Sequence, residues 1–445
     1  MIDFMLLALM SKSSKNSTGS TNINSSLVLD LEHLMLWHDV TYYDSITTAI
    51  GDITNNTIGE NSSNVNEENK VAVYVDGEYP HVVLLKNCDV TSTINITTDM
   101  CIVLNGHKLS SKDVTTMNIQ CDKVMIDGRV SGSTISVSTD TQANHVSAIN
   151  LSSGSCHING GTFDSTTFHA GVRNDPHGMI IANSGTNITI DNAKLIAKDE
   201  SGAINCICMK ENSTLVANNC TIEAISKTGL SPDAVYSYGN IEMSNCNIIG
   251  YSNHVANAAG NDYGATSRGV NCPGGSAKLI NCHVMGTHSG MAIKGDLYVD
   301  GCVFESYSHG GIYIGSSGKT VYLRNSVIQQ CEMPNGYIAD DVAGTNNAGM
   351  YVGGASNVTL YVDNCKFYGI QQPIVLRGSS GESNNSLYIS NSYINLNYQN
   401  YGIRNDSSHM TYFGVGNNFN ETNLRYKRNY EITEEDYKNA MPTQI

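Results

Sequence analysis

The chain has 445 residues and is acidic, with 41 Asp and Glu against 25 Lys and Arg and a net charge of −16. This balance disfavours nucleic-acid binding, which depends on basic side chains that neutralise phosphates. Hydrophobic residues make up 40%, glycines number 41 and prolines only 7. Such a composition is typical of many short strands and turns rather than of one large globular core.

The first 70 residues contain no strong repeat and divide into two predicted segments. Residues 1–26 comprise an apolar run of seven, residues 4–10, and a linker rich in Ser, Asn and Thr. The run follows Asp3 rather than a basic region, which disfavours an export signal. No stretch of the chain reaches the ~20 apolar residues of a membrane span, so we expect no membrane insertion. Residues 27–70 are predicted to form a helical or irregular capping segment.

A short motif recurs between residues 71 and 412: apolar, any, apolar, any, Asn or Gly, small, any, apolar. Its clearest copies begin at Leu297, Val321, Leu360 and Leu387. The spacings between successive small residues are 27, 26, 36, 20, 24, 39 and 27 for the series Ala193, Cys220, Cys246, Cys282, Cys302, Ser326, Cys365 and Ser392. A fixed motif with variable spacing predicts stacked coils that carry loops of different length.

Each part of the motif has a structural meaning. The alternation of apolar residues predicts a strand, and the Asn or Gly predicts a sharp bend in the left-handed conformation. Stacked bends should place the Asn side chains one above another, where their amides can hydrogen-bond. The small residue after the bend fits the inside of a tight corner. With a further short strand before each copy, the pattern predicts an all-β, right-handed parallel β-helix of three-strand coils over residues 71–412.

Residues 413–445 are predicted to form a C-terminal cap or tail, in which Glu434, Glu435 and Asp436 indicate the start of a short helix. The end of a β-helix exposes unpaired strand groups, so both flanks are suited to capping it.

The thirteen cysteines indicate the compartment of synthesis. Their number is odd, and six of them occupy the inward corner position, where a thiol acts as a small hydrophobic group: Cys88, Cys220, Cys246, Cys282, Cys302 and Cys365. We therefore expect free thiols rather than a disulfide framework, and synthesis in a reducing cytoplasm.

Four successive copies of the motif place a tyrosine on the outward face of the strand: Tyr298, Tyr322, Tyr361 and Tyr388. Lys278 and Glu242 occupy the equivalent place on earlier copies. The tyrosine strip suits a sugar-binding surface or a subunit contact. It also suits a purely structural column, because tyrosine is a good strand former. We expect a homo-oligomer, a trimer with cyclic symmetry, that uses this strip.

A second set of candidates precedes or lies on the other short strand. His288 and His309 share a register and could act on a sugar as acid and base. Tyr313 and Tyr351 follow on the strand, as candidate binding residues. The carboxylate candidates of a glycosidase pair are the loop residues Asp262, Asp340 and Asp341. The alternative is that these are ordinary polar loop residues. No histidine or cysteine pair has metal-ligand spacing, so we expect no metal and no cofactor.

The segment Met100-Cys101-Ile102-Val103-Leu104-Asn105-Gly106-His107-Lys108-Leu109 resembles a Leu-Asn-Gly-His coil of the pectate-lyase-like β-helix superfamily. The Asn-Cys coils between residues 160 and 394 are similar to the repeats of that superfamily. The resemblance implies the β-helix fold, and its members include polysaccharide lyases, glycoside hydrolases, epimerases and the fibres and spikes of tailed bacteriophages. The first residues, Asp3-Phe4-Met5-Leu6-Leu7-Ala8-Leu9, also resemble the start of phage fibre or minor structural proteins.

Three functions follow as expectations. The first is a bacteriophage virion fibre or spike that binds a host cell-surface glycan and joins other virion proteins through residues 1–26. Such a protein would be made in the bacterial cytoplasm. The second is a polysaccharide lyase or glycoside hydrolase, with an extracellular location as the alternative. The third is a non-enzymatic decoration of the capsid or tail.

Overall fold

The computed structural model describes residues 39–77, 79–140, 146–167, 178–199, 204–226, 232–252, 267–306, 310–330, 348–369, 372–377, 384–396, 403–405 and 409–419. Within these ranges the chain forms three long sheets and one helix. We call the sheets A, B and C.

Sheet A has 15 strands, in spatial order Thr41–Tyr43, Val71–Asp76, Tyr79–Leu84, Met100–Val103, Lys123–Gly128, Ser155–Gly160, Asn187–Asp191, Thr214–Asn218, Asn240–Ser244, Ala277–Ile280, Leu297–Asp300, Thr320–Arg324, Thr359–Asp363, Asn384–Ser390 and His409–Val415. Sheet B has 13 strands: Cys88–Val90, Lys108–Lys112, Thr134–Ser138, Thr162–Thr167, Lys194–Asp199, Thr221–Ser226, Asn247–Ser252, His283–Gly286, Val303–Ser306, Val327–Gln330, Lys366–Gly369, Tyr393–Leu396 and Asn418–Phe419. Sheet C has 12 strands: Ile94–Ile96, Met117–Ile119, Ile149–Leu151, Gly178–Ala182, Asn205–Met209, Asp233–Ser237, Arg268–Cys272, Ser289–Ile293, Gly310–Ile314, Ala348–Gly353, Gln372–Arg377 and Ile403–Asn405.

From Tyr79 onward the chain visits the sheets in the repeating order A, B, C, and each strand pairs in parallel with the strand one coil later. The register is regular, as in the pairing of Leu297 with Val321 and of Val321 with Leu360. The molecule is therefore a parallel β-helix with three strands per coil. The prediction of this fold from the repeat is confirmed.

The corner between sheets A and B has the predicted conformation in most coils. Its residue has φ between 49° and 56° at Asn105, Asn192, Asn219, Asn245, Asn281, Asn325, Asn364 and Asn391. Glycine takes this place at Gly160 and Gly301, with φ of 77° and 67°. Two weak copies of the motif are exceptions, because neither Asn87 nor Gly128 has a positive φ. A Cβ on Gly128 would lie 2.8 Å from the Gly160 carbonyl oxygen, so close backbone approach explains that glycine instead.

The corner amides hydrogen-bond along the axis in part of the helix. The Asn219 Nδ2 donates to the Asn192 Oδ1 at 3.3 Å, and the Asn364 Nδ2 donates to the Asn325 Oδ1 at 2.9 Å. Elsewhere a neighbouring aspartate accepts, as Asp300 does from the Asn325 Nδ2 at 2.7 Å. Amide stacking is thus confirmed at some corners and replaced by an amide–carboxylate bond at others.

The start of the predicted β-helix range requires a correction. Val71–Asp76 pairs antiparallel with Tyr79–Leu84, because the chain reverses tightly at Gly77 (φ 64°), and Thr41–Tyr43 pairs antiparallel with Val71–Asp76. Parallel pairing begins only between Tyr79–Leu84 and Met100–Val103. A hairpin therefore extends sheet A at its first edge.

The single helix in the described part of the chain, Ile46–Thr54, closes this end of the core. The Ser45 Oγ accepts the Thr47 N–H at 3.2 Å and caps the helix. The buried face of the helix joins the main hydrophobic core through Ile46, Ala49, Ile50 and Ile53. The helix lies within the segment that the sequence marks as capping.

At the other end, strands His409–Val415 and Asn418–Phe419 carry sheets A and B past the predicted boundary at residue 412. The expected helix start at Glu434, Glu435 and Asp436 lies outside the described residues, as do residues 1–26.

The core is one narrow column of aliphatic side chains, with Phe163, Phe304 and Phe367 among the largest fully buried residues. The corner positions are also buried: Cys220, Cys246, Cys282, Cys302 and Cys365 are each at most 2% exposed. All twelve described cysteines are free and buried. The prediction that cysteine serves as a small inward residue is confirmed.

We expect these thiols to be inert in the folded protein. Burial raises the pKa of the Cys156 and Cys365 thiols to about 12, so few would be ionised at neutral pH, and only the thiolate is reactive. Titration with a thiol reagent should modify almost none of the twelve in the native protein and close to thirteen after denaturation. Fast modification of several thiols in the native state would contradict this packing.

The stability of the capping segment around helix Ile46–Thr54 should depend on the buried carboxylate of Asp52. Asp52 is 2% exposed and accepts hydrogen bonds from the Asn61 Nδ2 at 2.6 Å, the Asn61 N–H at 3.0 Å and the Tyr43 hydroxyl at 3.2 Å. Burial alone would raise the pKa of Asp52, but these hydrogen bonds outweigh it and the pKa lies below its ordinary value of 3.8.

The charged form of Asp52 therefore stabilises the fold above pH 3.8, and this contribution disappears as the pH falls through the lowered folded-state pKa. Asp52→Asn should cost about 1–3 kcal/mol at pH 7 and much less at pH 2, measured by denaturant unfolding. Glu67→Gln, at an exposed position of the same segment, is the control. An equal effect of Asp52→Asn at both pH values would disprove the role of the charge.

Candidate functional site

The outer face of sheet C changes character along the helix. Its first coils carry a ladder of asparagine amides, in which Nδ2 donates to Oδ1 of the previous residue at 3.1, 3.0 and 2.8 Å, through Asn95, Asn118, Asn150 and Asn183. Later rungs of the same face hold, in register, Tyr236, Asn271, Ala292, Tyr313 and Tyr351. In register, Asn150 is followed by Ile181 and Cys208 and then by these rungs, in which Tyr236 lies on one side of the two smaller residues and Tyr313 and Tyr351 lie on the other. We call this region the sheet C groove.

Tyr236 and Tyr238 form the first wall of the groove. Their ring centroids are 5.6 Å apart at 79°, and the Tyr236 hydroxyl donates to the Tyr238 hydroxyl at 3.2 Å. Tyr236 is 7% exposed and Tyr238 is 39% exposed. Burial, and then the bond to Tyr238, raises the pKa of Tyr236. Tyr238 therefore presents an accessible ring, and the hydrogen bond from the buried Tyr236 holds that ring in position.

Tyr313 and Tyr351 form the second wall. Their rings stack with centroids 5.5 Å apart at 24°, and Tyr351 is 5% exposed. With Ala348 and Val375 they form a small hydrophobic cluster separate from the core. A Cβ on Gly353 would lie 2.6 Å from the Tyr351 Cε1 and 2.7 Å from the Tyr313 Cε2. The glycine therefore gives both rings room to lie against the end of the strand.

Asn271 and Ala292 form the floor between the walls. Asp233, 4% exposed, accepts the Asn271 Nδ2 at 2.7 Å and the Arg268 backbone N–H at 3.1 Å. Because a carboxylate only accepts hydrogen bonds, Asp233 fixes the Asn271 amide with its nitrogen inward. The three rung steps from Tyr236 to Tyr313 correspond to about 14 Å at the ~4.8 Å strand spacing. The result is a stretch of the outer face of sheet C in which an oriented amide lies between two pairs of tyrosines.

His288 directly precedes Ser289–Ile293, the strand that contains Ala292. Its Nδ1 is 3.0 Å from the Ser289 Oγ, and its backbone N–H donates to the Ser267 oxygen at 3.0 Å. Ser289 is fully buried, so this pair offers no accessible nucleophile. The other catalytic candidates, His309, Asp262, Asp340 and Asp341, lie outside the described residues. Among the binding candidates on sheet C, Tyr313 and Tyr351 are brought together.

Sheet A carries the predicted tyrosine strip on its outer face. Tyr298, Tyr322, Tyr361 and Tyr388 pair in register and are half-buried. The rings of Tyr322 and Tyr361, and of Tyr361 and Tyr388, stack with centroids 4.9 Å apart, at 7° and 19°. Burial raises the pKa of Tyr322 and Tyr361; Asp296 adds to the rise at Tyr322, and the neighbouring tyrosines add to it at Tyr361. We call these four residues the tyrosine ladder.

The geometry of the tyrosine ladder limits what it can bind. A sugar ring packs against the face of an aromatic ring, but within the stack those faces cover one another. The ladder presents ring edges and hydroxyls outward, which suits contact with a protein better than stacking of a sugar. The strip also ends where expected, because Lys278 and Glu242 follow in register and form an ion pair at 3.1 Å.

Two histidine–carboxylate pairs were not predicted from the sequence. The His157 Nε2 lies 2.8 Å from the Asp191 Oδ2 on sheet A, and the His283 Nε2 lies 2.7 Å from the Glu305 Oε2 on sheet B. In both pairs the carboxylate stands two residues beyond the register partner of the histidine on the next coil. Aligning the repeats by their corners would have revealed this offset.

The His283 pair is part of a polar ladder rather than a reaction centre. The His283 Nδ1 lies 2.8 Å from the Asn247 Oδ1, so both ring nitrogens are engaged within the protein. The Gln329 Nε2 donates to the other oxygen of Glu305. Within the described ranges, no group of three or more His, Cys, Asp or Glu residues is arranged to hold a metal ion.

Comparisons with known proteins give no relative from which a role could be transferred. A scan against protein-family models finds no match, and neither a search of curated proteins nor one of solved structures returns a match. In the part of the chain that the structure describes, no helix is long and apolar enough to cross a membrane.

The second wall of the groove provides a test of its geometry. Gly353→Ala should push the Tyr313 and Tyr351 rings apart, at a cost of about 1–3 kcal/mol for overpacking. Ultraviolet difference absorbance should report greater tyrosine exposure, and thermal unfolding should report the lost stability. Gly51→Ala is the control, since a Cβ there meets nothing within 4 Å. Unchanged absorbance and stability in Gly353→Ala would contradict the close ring–glycine contact.

Proposed function

We propose that this protein is a fibre or spike of a bacteriophage virion that binds a host cell-surface glycan in the sheet C groove. The single observation that carries the proposal is the stretch of the outer face of sheet C where two tyrosine pairs flank an oriented amide. Aromatic walls with a few convergent polar groups are the usual composition of a small-ligand site. In this proposal residues 1–26 attach the β-helix to other virion proteins.

The fold supports this role through its shape and its surface. A solenoid places a groove on a rigid scaffold, so ligand binding needs little ordering of the protein. Catalysis is the alternative, and the same experiment distinguishes the two. We propose binding without chemistry as the main function, because the one described catalytic candidate, His288, bonds to the fully buried Ser289.

The test measures binding of the full chain to a panel of purified bacterial surface polysaccharides. We expect at least one to bind, and Tyr238→Ala to weaken that binding about tenfold, because removing an exposed aromatic wall costs about 1.4 kcal/mol. Asn271→Ala should weaken it by a similar factor. Tyr393→Ala is the matched control, because it removes a half-exposed tyrosine from sheet B.

Three outcomes would contradict parts of this proposal. If no polysaccharide binds, glycan attachment is wrong. If Tyr361→Ser abolishes binding while Tyr238→Ala does not, the site is the tyrosine ladder and not the groove. If the bound polysaccharide becomes shorter on incubation, the protein is an enzyme of the lyase or hydrolase class.

A further inference from the structure

The outer face of sheet A carries an apolar patch near its first edge. The patch spans the second, third and fourth strands of the sheet. Five outward side chains form it and make up a hydrophobic cluster separate from the main core: Ala72, Tyr74, Val83, Cys101 and Val103. They alternate along their strands with inward residues of the main core, such as Val73, Val82 and Ile102. We call the five outward side chains the outer patch.

The outer patch is buried although it faces away from the core. Its residues are between 0 and 7% exposed. In the column of Cys101, the residues three and four coils later, Thr189 and Val216, are only half-buried. The partly buried residues that pack against the patch are Val40, Tyr42, Leu85 and Met125. They lie on the strands of the same sheet or directly beside them, so they border the patch and do not cover it. Its burial therefore requires a further layer of chain.

The chain that precedes Asp39 is in the right place to supply this layer. The structure describes the chain from Asp39, and the next residue, Val40, borders the outer patch. The twelve residues 27–38 include eight with large apolar side chains: Leu27, Val28, Leu29, Leu31, Leu34, Met35, Leu36 and Trp37. Twelve residues reach about 18 Å even as a helix, and three strands cover only about 10 Å at the ~4.8 Å strand spacing. The segment is therefore long enough to cover the patch.

The C-terminal residues are much farther away. Sheet A ends with His409–Val415, eleven strand steps from Met100–Val103, which is about 50 Å at the ~4.8 Å strand spacing. Residues 420–445 would have to run back along most of the sheet to reach the outer patch. Proximity along the chain and apolar composition both favour residues 27–38 instead.

From this burial and this adjacency we infer that residues 27–38 dock on the outer patch and cover the outer face of sheet A at its first coils. The helix Ile46–Thr54 closes the end of the core, so the two parts of the predicted capping segment protect different surfaces. Residues 1–26 then leave the β-helix from the side of sheet A, away from the sheet C groove. The inference is independent of glycan binding.

The segment contains its own reporter, because Trp37 is the only tryptophan of the chain. In the full chain its fluorescence should lie at a shorter wavelength than in denaturant and should resist quenching by acrylamide, because the docked ring is shielded from water. Val103→Asp places a charge in the outer patch and should raise the quenching constant by about threefold or more. Val216→Asp is the matched control, since it changes an outward valine of the same sheet outside the patch, and it should leave the quenching unchanged.

Cys101 gives an independent readout from the patch itself. In the full chain it should be alkylated as slowly as the core thiols. Leu31→Asp combined with Leu34→Asp should release the segment and make alkylation of Cys101 about tenfold faster or more, because the patch then opens to solvent. Peptide mass mapping identifies the modified thiol. Leu6→Asp combined with Leu9→Asp is the matched control, with the same spacing in the first apolar run, and it should have no effect.

Each readout can overturn the inference. A wild-type Trp37 that is quenched as freely as in denaturant would disprove the docking. If Cys101 stays slow in the double variant of residues 27–38, a second copy or another segment covers the patch. If the control pair in residues 1–26 exposes Cys101, the occupant lies in that segment instead. Fast alkylation of all thirteen thiols would mark an unfolded variant, and the quenching of Trp37 in Val103→Asp then decides.

Discussion

The rest of the structure depends on the parallel backbone hydrogen bonds between successive coils. These bonds fix the height of each residue relative to its counterparts, so Leu297, Val321, Leu360 and Leu387 occupy one inward column. A shift of one residue in any coil would turn its apolar side chains outward. Every column therefore holds the residues that occupy one position in successive coils. The stability of the fold is largely a sum of contacts between neighbouring coils.

The corner between sheets A and B enforces this register in each turn. The left-handed Asn turns the chain, and the residue after it must be small because it packs inside the angle. At Cys282 the backbone N–H donates to the Cys302 Sγ of the next coil at 3.2 Å, and the Cys302 N–H donates to the Ser326 Oγ at 3.0 Å. A thiol or hydroxyl at this place therefore fills the corner and also satisfies a backbone donor of the previous coil. This dual role explains why Cys and Ser recur there more often than alanine.

The repeat made most of the fold predictable from the sequence, because the Asn-small pair marks the same corner in nearly every coil. The strip Tyr298, Tyr322, Tyr361 and Tyr388 followed directly, since it stands at a fixed distance from that mark. The hairpin at Val71–Asp76 was not predicted, because its alternation is the same in parallel and antiparallel strands. The groove was predicted only in part: Tyr313 and Tyr351 were candidates, but Tyr236, Tyr238 and Asn271 were not. Sheet C strands follow loops of variable length and are not preceded by the Asn-small pair. The register between them could therefore not be determined from the sequence.

The two outer faces also differ in their periodicity. A face that repeats the same residue at every rung, such as the tyrosine ladder, offers no preferred position along the axis to a small ligand. The same repetition suits a partner with an equal repeat. The sheet C face is different, because Asn150 is followed in register by Ile181, Cys208, Tyr236, Asn271, Ala292 and Tyr313, and this creates a place that differs from the rest of the column. A specific ligand requires such a place, and a solenoid can provide it only by interrupting a column. The amide ladder has already ended at Asn183, and the buried Asp233 supplies the acceptor for the Asn271 Nδ2 at 2.7 Å.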